Sequence, residues 1–178
     1  MRILVTGGSA SGKSALAEQF TVQCAPGGRR LYLAAMQPFG EDAQFRIARH
    51  KKLRAGKDFD TVERYTDYAH FVPPMGYGAA LFECVSNALA NELFSPDGAG
   101  ENWKDSILSG VDALAAACPH VVVVTNEVFS DGRTYDAGTM AYLRALGQLN
   151  QLLAQRADVV IESVCGIPVM RKGSADFE

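Results

Sequence analysis

Residues Gly7-Gly8-Ser9-Ala10-Ser11-Gly12-Lys13-Ser14 have the spacing G-x-x-x-x-G-K-[ST]. A phosphate cradle needs backbone N–H groups that converge on oxygens, and therefore glycines able to adopt positive φ. It also needs the free amides and positive end of a helix, a lysine for the β/γ charge and a hydroxyl for Mg²⁺. All of these are in place here. Ile3-Leu4-Val5-Thr6 precede the loop as a strand-like run, and a helix-like segment begins at Ala15. The expectation is a phosphate loop that binds a nucleoside triphosphate with magnesium.

Magnesium in such a site takes a carboxylate besides the loop hydroxyl. Two acids end apolar strand-like runs: Glu83 after residues 79–82, and Glu127 just beyond residues 121–125. Glu83 is preferred, because it directly terminates its hydrophobic run. Ser14 and Glu83 are then the expected metal-holding pair. Asn126 and Glu127 remain candidates for the second substrate.

The most charged stretch is Phe45-Arg46-Ile47-Ala48-Arg49-His50-Lys51-Lys52-Leu53-Arg54. On a helix, Arg46, His50 and Arg54 fall at i, i+4 and i+8, on one face. That face would attract a triphosphate, and a neutral imidazole can attack phosphorus covalently. A solvated surface histidine is the plainer alternative on composition alone. His70 and His120 receive no role.

These residues need a scaffold that brings strand ends and helix starts together. Residues 3–6, 31–34, 79–83, 121–125, 159–161 and 167–170 read as strands. Residues 12–24, 41–54, 86–94, 104–117 and 136–156 read as helices. Short strands apolar on both faces, alternating with helices, predict an α/β fold: three layers with a mostly parallel sheet. Ligands in such sheets bind at the carboxyl ends of the strands, which is where the motifs fall. A length of 178 residues suits one nucleotide-binding domain over 1–178.

The formal charge is −3, from 17 basic and 20 acidic side chains, which gives no electrostatic case for nucleic acid as a partner. Cys24, Cys84, Cys118 and Cys165 form no C-x-x-C pair, and read as reduced cysteines of a cytoplasmic protein. The apolar run before Gly7 is short for a signal peptide. Val121 to Val124 is far too short to span a bilayer.

Taken in order along the chain, these segments resemble the bifunctional adenosylcobinamide kinase/adenosylcobinamide-phosphate guanylyltransferase family of cobalamin biosynthesis. The resemblance runs from Ile3 through the phosphate loop to Leu31-Tyr32-Leu33-Ala34 and Arg46-Ile47-Ala48-Arg49-His50. It continues through Thr61-Val62-Glu63, Leu81-Phe82-Glu83-Cys84, Asn91, Val124-Thr125-Asn126-Glu127-Val128 and Gly147-Gln148-Leu149-Asn150. It implies a RecA-like core and two reactions. One phosphorylates the aminopropanol hydroxyl of adenosylcobinamide with ATP or GTP. The other transfers GMP from GTP to that phosphate through a covalent GMP-histidine. The nucleophile would be His50, with Lys13 acting on the phosphates. Nucleotide contacts would fall on Gly7 through Ser14, on Ala34, Ala35 and Met36, on Lys51, Lys52, Leu53 and Arg54, and on Glu63 and Glu83. The resemblance also implies a homo-oligomer, a trimer.

The chain departs from the family pattern after Val128. Phe129-Ser130-Asp131-Gly132-Arg133-Thr134 stand where many members have G-M-G-I-V-P. The following helix lacks R-H-F-R-D, and Ala35 and Met36 replace commoner small polar residues. Two alternatives therefore stay open: a guanylyltransferase without kinase activity, and a regulatory ATPase or GTPase that transfers nothing to a small molecule. The lack of an N-K-x-D guanine motif argues against an ordinary GTPase.

Overall fold

The apolar strand-like runs do form strands. The structure, a computed structural model, describes residues 1–130 and 132–174. Seven strands build one sheet: β1 (Arg2–Thr6), β2 (Arg30–Ala34), β3 (Phe59–Glu63), β4 (Ala79–Glu83), β5 (His120–Val124), β6 (Val159–Val164) and β7 (Ile167–Lys172). Their order across the sheet is β3-β2-β4-β5-β1-β6-β7. All neighbouring pairs are parallel except β6 with β7.

Alternation along each strand divides the core into two layers. Ile3, Val5, Leu81, Val122, Val124 and Ile161 pack with Leu16, Ala17 and Phe20 of α1 (Lys13–Cys24). Leu4, Leu31, Leu33, Phe82, Val121 and Val123 face the other way. They pack against α3 (Val85–Phe94), α4 (Trp103–Ala117) and α5 (Ala137–Arg156). The result is the expected three-layer arrangement. None of these helices is long and apolar enough to cross a membrane among the described residues.

One element differs from the sequence reading. The strand at Phe59–Glu63 was not expected, so the run at 79–83 is the fourth strand and not the third. β3 is an edge strand on which Asp60, Thr61 and Glu63 are exposed. It therefore lacks the continuous apolar run that marks a buried parallel strand. Its consequence is functional: it carries Glu63 to the same sheet edge as Glu83, through the register Ala34↔Glu63 and Ala34↔Glu83. The helix expected over 41–54 is present as α2 (Gly40–Arg54), and it buries only Arg54. Its acidic start at Glu41 and Asp42 and its basic end complement the helix dipole. Polar contacts, described below, hold it to the sheet.

The phosphate loop is braced from behind by the β6–β7 hairpin. Ser163 Oγ and the Gly166 N–H both donate to Ser11 O at 2.8 Å, and the Glu127 N–H donates to Gly7 O at 3.0 Å. A Cβ on Gly7 would lie 2.6 Å from Ser11 Oγ and 2.8 Å from Ser163 O, so the close approach itself requires glycine there. Ser163→Ala should cost about 1 kcal/mol of stability. Hydrogen exchange should quicken at the loop amides while the β4 amides keep their protection.

Candidate active site

Gly12 has φ 89° and caps α1 in the left-handed region. This turn lets the chain leave β1 and enter a helix with its first amides facing the sheet edge. The first helical bond runs from the Leu16 N–H to Gly12 O, so the amides of residues 13–15 have no partner within the helix and suit an anion. Lys13 Nζ donates to Gly8 O at 2.9 Å, which holds the ammonium across the mouth of the loop. Burial pulls the Lys13 pKa below its ordinary value; nearby Cys84 and Glu83 oppose that shift.

A cavity of about 470 Å³ opens between this loop and α2. Its walls include Ser9 through Ser14, Ala34, Met36, Lys51, Arg54, Glu63 and Glu83, all expected from the sequence, together with His50. Arg46, His50 and Arg54 do share one wall, as the helical spacing requires. Among the other expected residues, Gly7, Gly8, Ala35, Lys52 and Leu53 do not line it. Ala35 is fully buried. Its N–H donates to Glu83 O at 3.1 Å and its carbonyl accepts from Asn91 Nδ2 at 2.8 Å. Ala35 thus fixes the strand ends and presents no surface to the cavity. Gly7 O accepts from the Glu127 N–H, and Gly8 O accepts from the Ser11 N–H and from Lys13 Nζ.

Glu83 is the meeting point. Its side chain is 6% exposed and lies 3.4 Å from His50 Nδ1. That separation suits an ion pair, but His50 Nδ1 is buried and reaches no partner in hydrogen-bond geometry. Tyr32 Oη donates to Glu83 Oε2 at 3.2 Å. Burial acts to raise the Glu83 pKa; His50, Ser14 and Tyr32 outweigh it and hold the carboxyl below its ordinary value. Tyr32 also carries Arg54, whose guanidinium carbon lies 3.4 Å from the ring centroid. The histidine therefore faces the phosphate loop across a shared cavity rather than bulk water.

Glu127 and Asn126 each have a polar partner within the chain. Glu127 Oε1 accepts from the Phe129 N–H and from Ser130 Oγ, which ties down the start of the divergent segment. Asp131 of that segment lies outside the described residues. Asn126 lines the cavity and donates to Ser86 Oγ at 2.6 Å.

One acid escaped the sequence reading. Glu18 on α1 is fully buried and accepts from Lys57 Nζ at 2.9 Å. Burial raises its pKa, against the opposing hydrogen bond and charge of Lys57. Glu18 lies one turn after Ser14, so both project from one face of α1, but that spacing alone does not reveal its burial. Lys57 had no signal, because it follows α2 in a turn.

Comparison with known proteins places this site in context. A family model described as cobinamide kinase / cobinamide phosphate guanyltransferase matches residues 3–170. The bifunctional adenosylcobalamin biosynthesis protein CobU of Salmonella typhimurium is 35% identical, over 97% of this chain and 100% of its own length. The Escherichia coli protein of the same name is 32% identical over the same shares. Among solved structures, the flagellar accessory protein FlaH of Methanocaldococcus jannaschii superposes with a TM-score of 0.53 at 12% identity, covering 97% of this chain and 78% of that one. That likeness concerns the fold alone. The match over nearly the whole chain shows that it belongs to the cobinamide kinase / cobinamide phosphate guanyltransferase family.

Proposed function

We propose that this chain phosphorylates adenosylcobinamide with ATP or GTP and then transfers GMP from GTP to adenosylcobinamide phosphate, carrying the GMP on His50. Family membership supports the pair of reactions. The observation that supports the carrier is the position of His50, which shares a cavity with the phosphate loop and has Glu83 at its Nδ1.

In the guanylyl step, a proton on Nδ1 directed at Glu83 leaves the lone pair on Nε2. Nε2 attacks the α-phosphorus of GTP; a P–N bond forms, the α–β P–O bond breaks, and pyrophosphate leaves. An oxygen of the corrinoid phosphate then attacks the same phosphorus. The P–N bond breaks and its electron pair returns to Nε2. Splitting the transfer into two steps is the gain from covalent catalysis. In the kinase step, the substrate hydroxyl oxygen attacks the γ-phosphorus; the new P–O bond forms, the β–γ P–O bond breaks, the nucleoside diphosphate leaves, and the hydroxyl proton passes to solvent. Lys13 and the loop amides stabilise charge on the transferring group.

The residues present also fit magnesium. Ser14 lies against a Glu83 carboxyl held below its ordinary pKa, so a hydroxyl and an ionised carboxylate offer the hard oxygen donors this ion takes. Bound there, Mg²⁺ would neutralise phosphate charge; Ser14 and Glu83 would hold it. The same reading carries a single nucleotide-binding domain over 1–178, a cytoplasmic enzyme and a homotrimer. The exposed Ile167 and Met170 on edge strand β7 offer an oligomer apolar surface to bury.

Incubation with α-labelled GTP should leave acid-labile label on the protein. His50→Ala should reduce that label to background, and label persisting in the variant would sink the assignment of His50. Lys13→Ala should lower both activities by at least ~100-fold, as loss of a group that stabilises transition-state charge does. Glu83 gives a pH signature. Its folded pKa lies below the ordinary 4.5, so the ionised carboxylate stabilises the fold above that pH. This contribution is lost as pH falls through the folded value. Urea midpoints of Glu83→Gln measured against pH should therefore fall less steeply on the acid side than those of the unaltered chain.

A further inference from the structure

Three side chains from three elements meet beneath α2. Glu18 comes from α1, His50 from α2 and Glu83 from β4, and a ligand atom of each lies within 4.8 Å of the others. Two of them have unmet polar atoms. Glu18 gives Oε2 to Lys57, while its Oε1 is buried with no hydrogen-bond partner. His50 Nδ1 is likewise buried without one. A fully buried carboxylate oxygen and a buried ring nitrogen, both unsatisfied, belong to this one cluster and call for a partner.

The chemistry of that partner follows from the donor set. One imidazole with two carboxylates suits a borderline divalent ion such as Zn²⁺ or Co²⁺. It suits Mg²⁺ poorly, because that ion demands oxygen ligands in a near-ideal octahedron. One spacing of the three also fits. Ligand bonds of about 2.0–2.1 Å around a tetrahedral ion place neighbouring ligand atoms about 3.3 Å apart. His50 Nδ1 and Glu83 Oε1 are already 3.4 Å apart.

We propose that Glu18, His50 and Glu83 form a binding site for one Zn²⁺-class ion, and that its occupancy switches off guanylyl transfer. A metal on Nδ1 uses that nitrogen's lone pair, so the ring proton resides on Nε2 and the nucleophile is lost. The ion also draws Glu83 away from Ser14. Zn²⁺ and the magnesium-bound nucleotide thus exclude each other through a shared carboxylate. The inhibitory consequence rests on the reading of His50 as the GMP carrier; the binding of the ion does not.

Titration of the full-length chain with Co²⁺, followed by visible absorption, tests the binding. The expected result is saturation at one equivalent with a d–d spectrum of nitrogen and oxygen ligation. Glu18→Gln and His50→Ala should each weaken the affinity at least tenfold. Each variant is checked for a native circular dichroism spectrum, and either one that folds suffices. No saturable binding, equal affinity in a folded variant, or a thiolate charge-transfer band from a cysteine would each overturn the site. A second arm tests the switch. One equivalent of Zn²⁺ should slow labelling by α-labelled GTP at least tenfold, and a chelator should restore it. Unchanged labelling in the presence of bound Zn²⁺ would overturn the switch. A zinc-free protein that takes no label in the presence of Mg²⁺ would instead remove His50 as carrier and leave the Co²⁺ result standing.

Discussion

A carboxylate buried at the end of an apolar strand is the constraint around which this structure is arranged. Glu83 closes β4, whose residues are all buried, and an unpaired charge there costs several kcal/mol. The groups that replace water come from separate elements. Tyr32 arrives from β2, Ser14 from the first turn of α1, and His50 from α2. Satisfying one carboxylate therefore draws the phosphate loop, the second strand and the basic helix to one point. That point lies at the carboxyl edge of the sheet, where the fold leaves a crevice.

The two sides of this site are built with different stiffness. The phosphate loop is held by bonds from the β6–β7 hairpin and from Glu127, all to its own carbonyls. Its neighbour α1 is packed into the apolar layer by Leu16, Ala17 and Phe20. In contrast, α2 buries one residue, Arg54, and is secured by that residue's stacking on Tyr32 and by the His50–Glu83 approach. Just beyond its end, Lys57 pairs with Glu18. A firm cradle beneath a lightly attached helix suits the proposed chemistry, in which His50 would receive a nucleotide and later release it.

Much of this was legible in the sequence for identifiable reasons. The phosphate loop shows itself because backbone conformation forces glycine at fixed spacings, and Gly12 does take positive φ. The alternation of apolar runs and helices predicted the layered parallel sheet, and the one-face spacing of Arg46, His50 and Arg54 was realised in the cavity wall. The missed features depend on tertiary context. β3 hides because an edge strand needs few apolar residues. The resemblance implies a nucleotide contact at Ala35, but in the fold it is buried and its backbone bonds Glu83 O and Asn91, which only the folded chain shows. Glu18 is a common residue in a helix, and its burial becomes visible only when α2 lies over it.

The central claim is that the imidazole of His50, held by Glu83, is the atom group that carries GMP. It is tested most directly by trapping the guanylylated protein at alkaline pH, digesting it, and locating the GMP by fragmentation mass spectrometry. The account predicts the adduct on the imidazole of His50. An adduct on the side chain of Lys13, Lys51 or Lys52 would contradict it, because the carrier would then be an amine and the Glu83–His50 pair would have no part in the bond that forms.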